Sequence, residues 1–272
     1  MPLNHDDCDL AVRLARETGR RLLRVRSGPE RAEERKALGD RTAQEFLAQA
    51  LAQARPDDVV LSEEAPDPAC RIGARRVWII DPVDGTREFA EPGREDWAVH
   101  VALWEDGDLA CGAVALPALD EVHCSCSPPL LPPAHAGPPR VTFSRSRPPG
   151  FLPALLVDLG AQAVPIGSAG AKCAAVWRGS VDAYVHAGGQ HEWDSAAPVA
   201  VARAAGLHTS RIDGSPLRYN QPVTYLPDLV VCRPELARTL LASIAEHLDG
   251  ERNRDGERNR DGEKSPAEGG ER

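Results

Sequence analysis

Apolar positions fall into short periodic blocks separated by polar or proline-rich stretches. Leu10, Leu14, Leu22 and Val25 recur close to a helical stripe, with Asp6 or Asp7 placed to cap its start. A cleaner stripe follows. Ala43, Phe46, Leu47, Ala50, Leu51 and Ala54 share one face of a 3.6-residue period, which predicts a helix with a buried face and Asp40 just ahead of it. Two short apolar runs, Val59-Val60-Leu61 and Val77-Trp78-Ile79-Ile80, end in acidic residues and read as buried strands. Further strands are predicted at 97–104, 109–116 and 121–126, punctuated by Asp106-Gly107 and Pro117. Residues 128–139 are proline-rich and read as a linker. Beyond it, helices near 149–159, 169–178, 194–205 and 234–248 alternate with strands ending at Ile166 and spanning 181–186 and 228–232. Pro234 suits the first turn of the last helix. The front half thus reads as α+β and the back half as α/β: two packed subdomains, 1–140 and 141–248, with a cleft between them.

The stretch 249–272 differs in kind. Asp249-Gly250-Glu251-Arg252-Asn253-Arg254 repeats at 255–260 and begins again at Asp261, with no large apolar side chain. Such a segment cannot offset its ordering entropy, so a disordered charged tail is predicted, solvated or partner-binding. The 272 residues allow one domain or two intimately packed ones. A net charge of −9 argues against a nucleic-acid coat or a polybasic membrane binder. No apolar run is long enough for a transmembrane helix, and the acidic start lacks the features of a signal peptide, so a cytoplasmic location is expected. Seven cysteines, an odd number in a chain that needs no staples, are expected to be reduced. Among them, His123-Cys124-Ser125-Cys126 resembles soft-metal ligands, but strand alternation turns Cys124 and Cys126 to one face, toward a core.

The candidate chemistry lies where apolar runs stop. Trp78-Ile79-Ile80 runs into Asp81-Pro82-Val83-Asp84-Gly85-Thr86, placing two carboxylates at the carboxyl end of a buried strand, where ligands gather in open sheets. With the Val83 carbonyl they form an oxygen-only set suited to Mg²⁺. Gly85 lets backbone approach a ligand, and its amide with that of Thr86 begins a candidate anion site. Glu63-Glu64 ends the preceding strand, and Asp194 opens a helix in the back half. Taken singly, Glu63-Glu64 is a solvated turn and Asp194 an ordinary cap. Together they place like charges that repel unless cations share them.

These segments carry a resemblance. Glu63-Glu64, Asp81 to Thr86 and Trp193-Asp194-Ser195-Ala196-Ala197 are similar to the three-part signature of the inositol monophosphatase-like, lithium-sensitive, magnesium-dependent phosphatases, over about residues 7 to 248. The wording at 61–64, 85–89, 92–100 and 167–172 most resembles the actinobacterial CysQ-type 3′-phosphoadenosine 5′-phosphate phosphatases. The resemblance implies a layered α-β-α-β-α fold of the sugar-phosphatase type with the active site between subdomains, and two or three Mg²⁺ ions. It places metal ligands at Glu63, Asp81, the Val83 carbonyl, Asp84 and Asp194, with Asp81 bridging two ions. Thr86 and Asp40 would orient and deprotonate the attacking water, although Gly39 precedes Asp40 where the family more often has Thr. Glu64 would act behind the ligands or on a third ion.

In an acidic protein, metal ions would reverse the local sign for a doubly phosphorylated substrate and activate water for in-line displacement. No Asp-x-Asp-x-Thr/Val nucleophile motif occurs, which favours direct water attack. Ala187 stands where inositol-cleaving relatives carry a Glu, which counts against inositol phosphate. Gly167, Ser168 and Lys172 form a turn that would hold a second phosphate, unless Lys172 is an exposed helix lysine, and Arg218 and Tyr219 either offer a guanidinium and a ring for an adenine or phosphate or serve packing and a turn. The expected reaction is hydrolysis of 3′-phosphoadenosine 5′-phosphate to AMP and phosphate, with 3′-phosphoadenosine 5′-phosphosulfate a second substrate, in sulfate assimilation. Inositol-1-phosphate or fructose-1,6-bisphosphate hydrolysis is the rival, and a non-catalytic nucleotide sensor a third. A monomer or homodimer is expected.

Overall fold

The computed structural model describes the backbone of residues 5–262 and the side chains of 6–248. The run Val77–Ile80 forms the middle of strand β2 (Arg76–Asp84), buried on both faces. Val77 and Ile79 point into one apolar cluster and Trp78 and Ile80 into another, as the two-residue period requires. β2 pairs in parallel with β1 (Val59–Ser62) and antiparallel with β3 (Ala98–Glu105); the sheet continues through β4 (Asp108–Leu116) to β5 (Glu121–Cys124). A second five-stranded sheet runs in the order β7 (Gln162–Ile166), β6 (Arg140–Ser144), β8 (Ala183–His191), β10 (Tyr225–Cys232), β9 (His208–Ser210).

Three apolar clusters hold the helices to these sheets. Leu10, Leu14 and Leu22 of α1 (His5–Arg26) join Ala43, Leu47 and Leu51 of α2 (Ala32–Ala54) against the outer face of the first sheet. Between the sheets lie α5 (Ala169–Trp177) and α6 (Glu192–Ala204), rich in alanine. Leu152 and Leu155 of α4 (Leu152–Asp158) and Leu240 and Ile244 of α7 (Pro234–Gly262) cover the outer face of the second sheet. The expected α-β-α-β-α layering is therefore present. Among the described residues no helix is long and apolar enough to cross a membrane.

Several expectations shift. α2 begins at Ala32, so Asp40 lies inside the helix rather than ahead of it. Its first turns, Glu33-Glu34-Arg35-Lys36, are good helix formers with no apolar stripe to announce them. α1 includes Asp6 and Asp7 in its first turn, where their charge suits the helix dipole. Strands β6 and β9 were not anticipated, being only five and three residues long, while helix α3 (Thr86–Ala90) starts at the Gly85-Thr86 turn read as a candidate anion site. The α7 backbone carries through both copies of the charged repeat to Gly262, where a disordered tail was expected. The remainder of the expected disordered tail, from 263, lies outside the described residues. Cys8 of α1 and Cys126 beyond β5 form a disulfide, which corrects the expectation of seven reduced thiols. Cys124 packs in the same cluster beneath α1, as alternation implied.

Gly112 on β4 lets α6 seat directly on the first sheet. A Cβ there would stand 2.8 Å from the Ala200 Cβ and 2.9 Å from the Ala197 carbonyl. Gly112→Ala should cost about 1–3 kcal/mol by overpacking, lowering the calorimetric melting midpoint by roughly 2–4 °C per kcal/mol.

Candidate active site

Asp81 and Asp84 are three residues apart and would face opposite sides of a regular strand. The pairing of β2 with β3 slips between them, and this irregularity lets both carboxylates turn to one side. The Val83 amide donates to Asp81 Oδ1 at 3.1 Å, which fixes the bend. Asp194 arrives from the first turn of α6, where it also accepts the His191 amide at 2.6 Å. It is thus a cap and a site residue together. One carboxylate oxygen from each of Asp81, Asp84 and Asp194 lies within 4.8 Å of the others. Asp81 and Asp84 are buried.

The charges are unevenly compensated. Burial, then the repulsion of Glu63, Asp84 and Asp194, holds the Asp81 carboxyl well above the usual carboxylate range. Asp194 is raised to about 6 by burial and then by Asp84. Glu63 is exposed as a residue but turns its carboxyl toward Asp81, and is pushed up to about 7 by withdrawal from water and then by Asp194. Asp84 differs. Burial would raise it, but His100, Lys172 and Ser168 outweigh that and hold it at about 2.

The reason is the turn into α5. The Ala169 and Gly170 amides donate to Asp84 at 3.0 and 2.6 Å, Ser168 Oγ at 2.5 Å, and His100 Nε2 lies 3.2 Å away. Asp84 is therefore the anion bound at this helix N-terminus. At Gly170 a Cβ would meet His100 Nε2 at 2.2 Å, so only glycine allows this approach. Ser168 takes φ of +36°, a conformation that side chains rarely adopt, secured by its bonds to Asp84 and to the Ala171 amide. The Gly167 amide is occupied by Asp96. Lys172 is also committed: its Nζ donates to the Gly167 and Ser168 carbonyls at 2.8 and 2.7 Å and is buried beside the Tyr184 ring. The predicted phosphate-holding turn of Gly167, Ser168 and Lys172 is thus corrected to an internal one. Its donors serve the protein's own carboxylates and carbonyls.

A cavity of about 460 Å³ opens over this site, lined by Asp84, Gly85, Thr86, Asp194 and the outer surface of the turn at 167–172. Thr86 begins α3 and donates through Oγ1 to the Val83 carbonyl at 3.1 Å. That carbonyl keeps a second lone pair for a cation. Asp40 comes near through packing of α3 on α2: Phe89 shares a cluster with Ala43 and Leu47 and meets Trp97 edge-on. Burial, then the neighbouring Glu64, raises the Asp40 carboxyl to about 6. Among the described residues no hydrogen bond joins Asp40 to Thr86. Glu64 is exposed, its amide bonded to Ser62 Oγ. Of the two readings of Tyr219, packing is the one its surroundings support: it is buried with its hydroxyl 3.1 Å from Ser195 Oγ, and the exposed Arg218 does not line the cavity. Sequence reasoning missed Arg145 and Arg147, which follow β6, and gave no role to His186 and Gln190 on β8. The alternation Ser144-Arg145-Ser146-Arg147 after an apolar triplet was the available signal.

The carboxylate set fits magnesium: buried, hard oxygen donors whose mutual repulsion a divalent cation would relieve. The pH dependence follows. Asp194 and Glu63 have ordinary values of 3.8 and 4.5, raised in the fold to about 6 and about 7. The folded protein therefore holds protons that the unfolded chain releases, and metal-free stability falls as pH rises across this window. Asp84 acts oppositely, its contribution being lost as pH drops below 3.8 toward about 2. Scanning calorimetry should find a larger Mg²⁺-induced rise in melting midpoint at pH 8 than at pH 5, since binding competes with protons at the lower value.

Comparisons with known proteins agree with this architecture. The inositol monophosphatase family pattern matches residues 7–127 and 141–250. A Mycobacterium tuberculosis protein named 3′-phosphoadenosine 5′-phosphate phosphatase is 51% identical over 240 residues, covering 85% of this chain and 90% of its own length. The 3′(2′),5′-bisphosphate nucleotidase CysQ of Escherichia coli is 31% identical over 238 residues, covering 80% and 96%. The crystal structure of CysQ from Bacteroides thetaiotaomicron superposes with a TM-score of 0.73 at 26% identity, covering 84% of this chain and 97% of that one. A fold of two sheets with helices inside and out, carboxylates gathered at the end of β2 and the start of α6, and matches over most of the chain identify it as a member of the inositol monophosphatase family.

Proposed function

We propose that the chain is a magnesium-dependent phosphatase that removes the 3′-phosphate of 3′-phosphoadenosine 5′-phosphate, giving AMP and inorganic phosphate. The observation that carries this reading is the convergence of Asp81, Asp84 and Asp194 beneath a cavity whose wall bears arginines. The names of the relatives at 31% and 51% identity support the nucleotide substrate. In this reading Asp81, Asp84, Asp194, Glu63 and the Val83 carbonyl hold two or three cations. When bound, these supply positive charge for the phosphoryl oxygens and lower the pKa of the attacking water.

The chain's own groups do the rest. Asp40, with a carboxyl near 6, is matched to accept a proton from water close to neutrality. The Thr86 hydroxyl, fixed by its bond to Val83 O, orients that water. The Gly85 and Thr86 amides, at the left-handed turn into α3, face the reacting phosphate. Water oxygen bonds to phosphorus as the bond to the 3′-oxygen breaks; the water's proton passes to Asp40 and the leaving 3′-oxygen takes its proton from solvent. The phosphosulfate analogue, which keeps the same 3′-phosphate, is a second substrate of the same site.

A panel of 3′-phosphoadenosine 5′-phosphate, inositol-1-phosphate and fructose-1,6-bisphosphate under Mg²⁺ tests the reading. A preference of about tenfold or more for either non-nucleotide ester overturns it. Asp81→Asn should lower kcat roughly a hundred- to a thousandfold, and unchanged turnover would remove the carboxylate cluster from the mechanism.

A further inference from the structure

Four cations line the cavity: Arg87, Arg145, Arg147 and Lys172. Lys172 is committed to two backbone carbonyls. Arg145 is held by Glu88 at 2.7 Å and Glu91 at 3.7 Å. Arg87 sits one residue beyond Thr86, at the reacting end. Arg147, whose charge reaches the His186 ring, is uncommitted: among the described residues its guanidinium has no hydrogen bond or ion pair, and only its amide is used, donating to Ser144 Oγ.

The wall shared with Arg147 is also incomplete. His186 and Gln190 line the same cavity at 3% and 6% exposure. Neither His186 ring nitrogen makes a well-formed hydrogen bond, and Gln190 Oε1 has no partner although its Nε2 donates to the Tyr184 hydroxyl. Buried polar atoms in folded proteins are ordinarily paired, so a row of unpaired ones facing a cavity marks where a polar ligand completes them. Burial, then the positive charge of Lys172, outweighs a loose backbone contact at Gly189 and, with Arg147, lowers His186 to about 4, so its ring is neutral and offers one donor. Gln190 Oε1 is an acceptor and suits a sugar hydroxyl. A free guanidinium beside a ring N–H suits a phosphate, which arginine grips through two parallel bonds.

We propose that Arg147, assisted by the His186 ring, holds the second phosphate of the substrate and thereby sets the preference for bisphosphorylated over monophosphorylated nucleotides. This rests on the proposed function for its substrate, and it replaces Lys172 as the cation that reads that group. Arg147 is exposed and its guanidinium bonds to no described residue, so its substitution should leave the fold intact.

Two measurements test it. The first is calorimetric binding of AMP, the product that retains the 5′-phosphate, to the wild-type chain, Arg147→Ala and Arg147→Lys. The expected result is a tenfold or greater loss with Ala and a smaller loss with Lys; equal affinity in all three overturns the proposal. The second is the ratio of kcat/KM for 3′-phosphoadenosine 5′-phosphate to that for adenosine 3′-phosphate. Arg147→Ala should collapse this ratio, mainly through KM for the bisphosphate; a parallel fall on both substrates overturns the assignment. A wild-type chain that binds AMP through Arg147 but does not hydrolyse the bisphosphate leaves the second-phosphate site standing and refutes the proposed function instead.

Discussion

The site depends on one buried carboxylate acting as an internal anion. Asp84 ends β2 of the first sheet and is received by the amides opening α5, in the layer between the sheets. Its charge is compensated four ways, by a helix terminus, by the Ser168 hydroxyl, by His100 and by the charge of Lys172. This contact locks the first sheet to the middle layer at the floor of the cavity. It also explains two features that sequence alone left obscure: glycine at 170, and a serine held at positive φ.

Around that satisfied charge stand others that are not. Asp81, Asp194 and Glu63 share the same small volume without equivalent donors, and their carboxyls are driven upward while Asp84 is driven down. Similar residues a few ångströms apart thus occupy opposite electrostatic regimes. The protein fixes one carboxylate with its own dipoles and leaves the rest to be neutralised from outside, which is what a cation-dependent site requires.

Much of this was legible in the chain. The β2 run and its two aspartates stood out because a strand buried on both faces has no reason to end in acid, and the family wording of the three motifs was specific. The helix stripe at 43–54 was clear, whereas the polar turns that start α2 carried no periodicity, so Asp40 was placed ahead of the helix rather than within it. Lys172 and Tyr219 misled because a side chain's chemistry reveals nothing about what it already holds. Both are buried and bonded inward. Arg147 was passed over because β6 is a short apolar triplet hemmed in by prolines and was assigned no element.

The layer between the sheets is built from small side chains, with Ala174, Ala175, Ala196, Ala197, Ala200 and Ala202 all buried there. Their size sets how closely the two sheets approach, and hence the span from the acidic floor on one sheet to the arginine wall on the other. Alanine in this layer is in effect a spacer that calibrates a ruler. Bulkier side chains would lengthen the ruler and alter which ligands fit its two ends, without any change in a residue that the ligand touches.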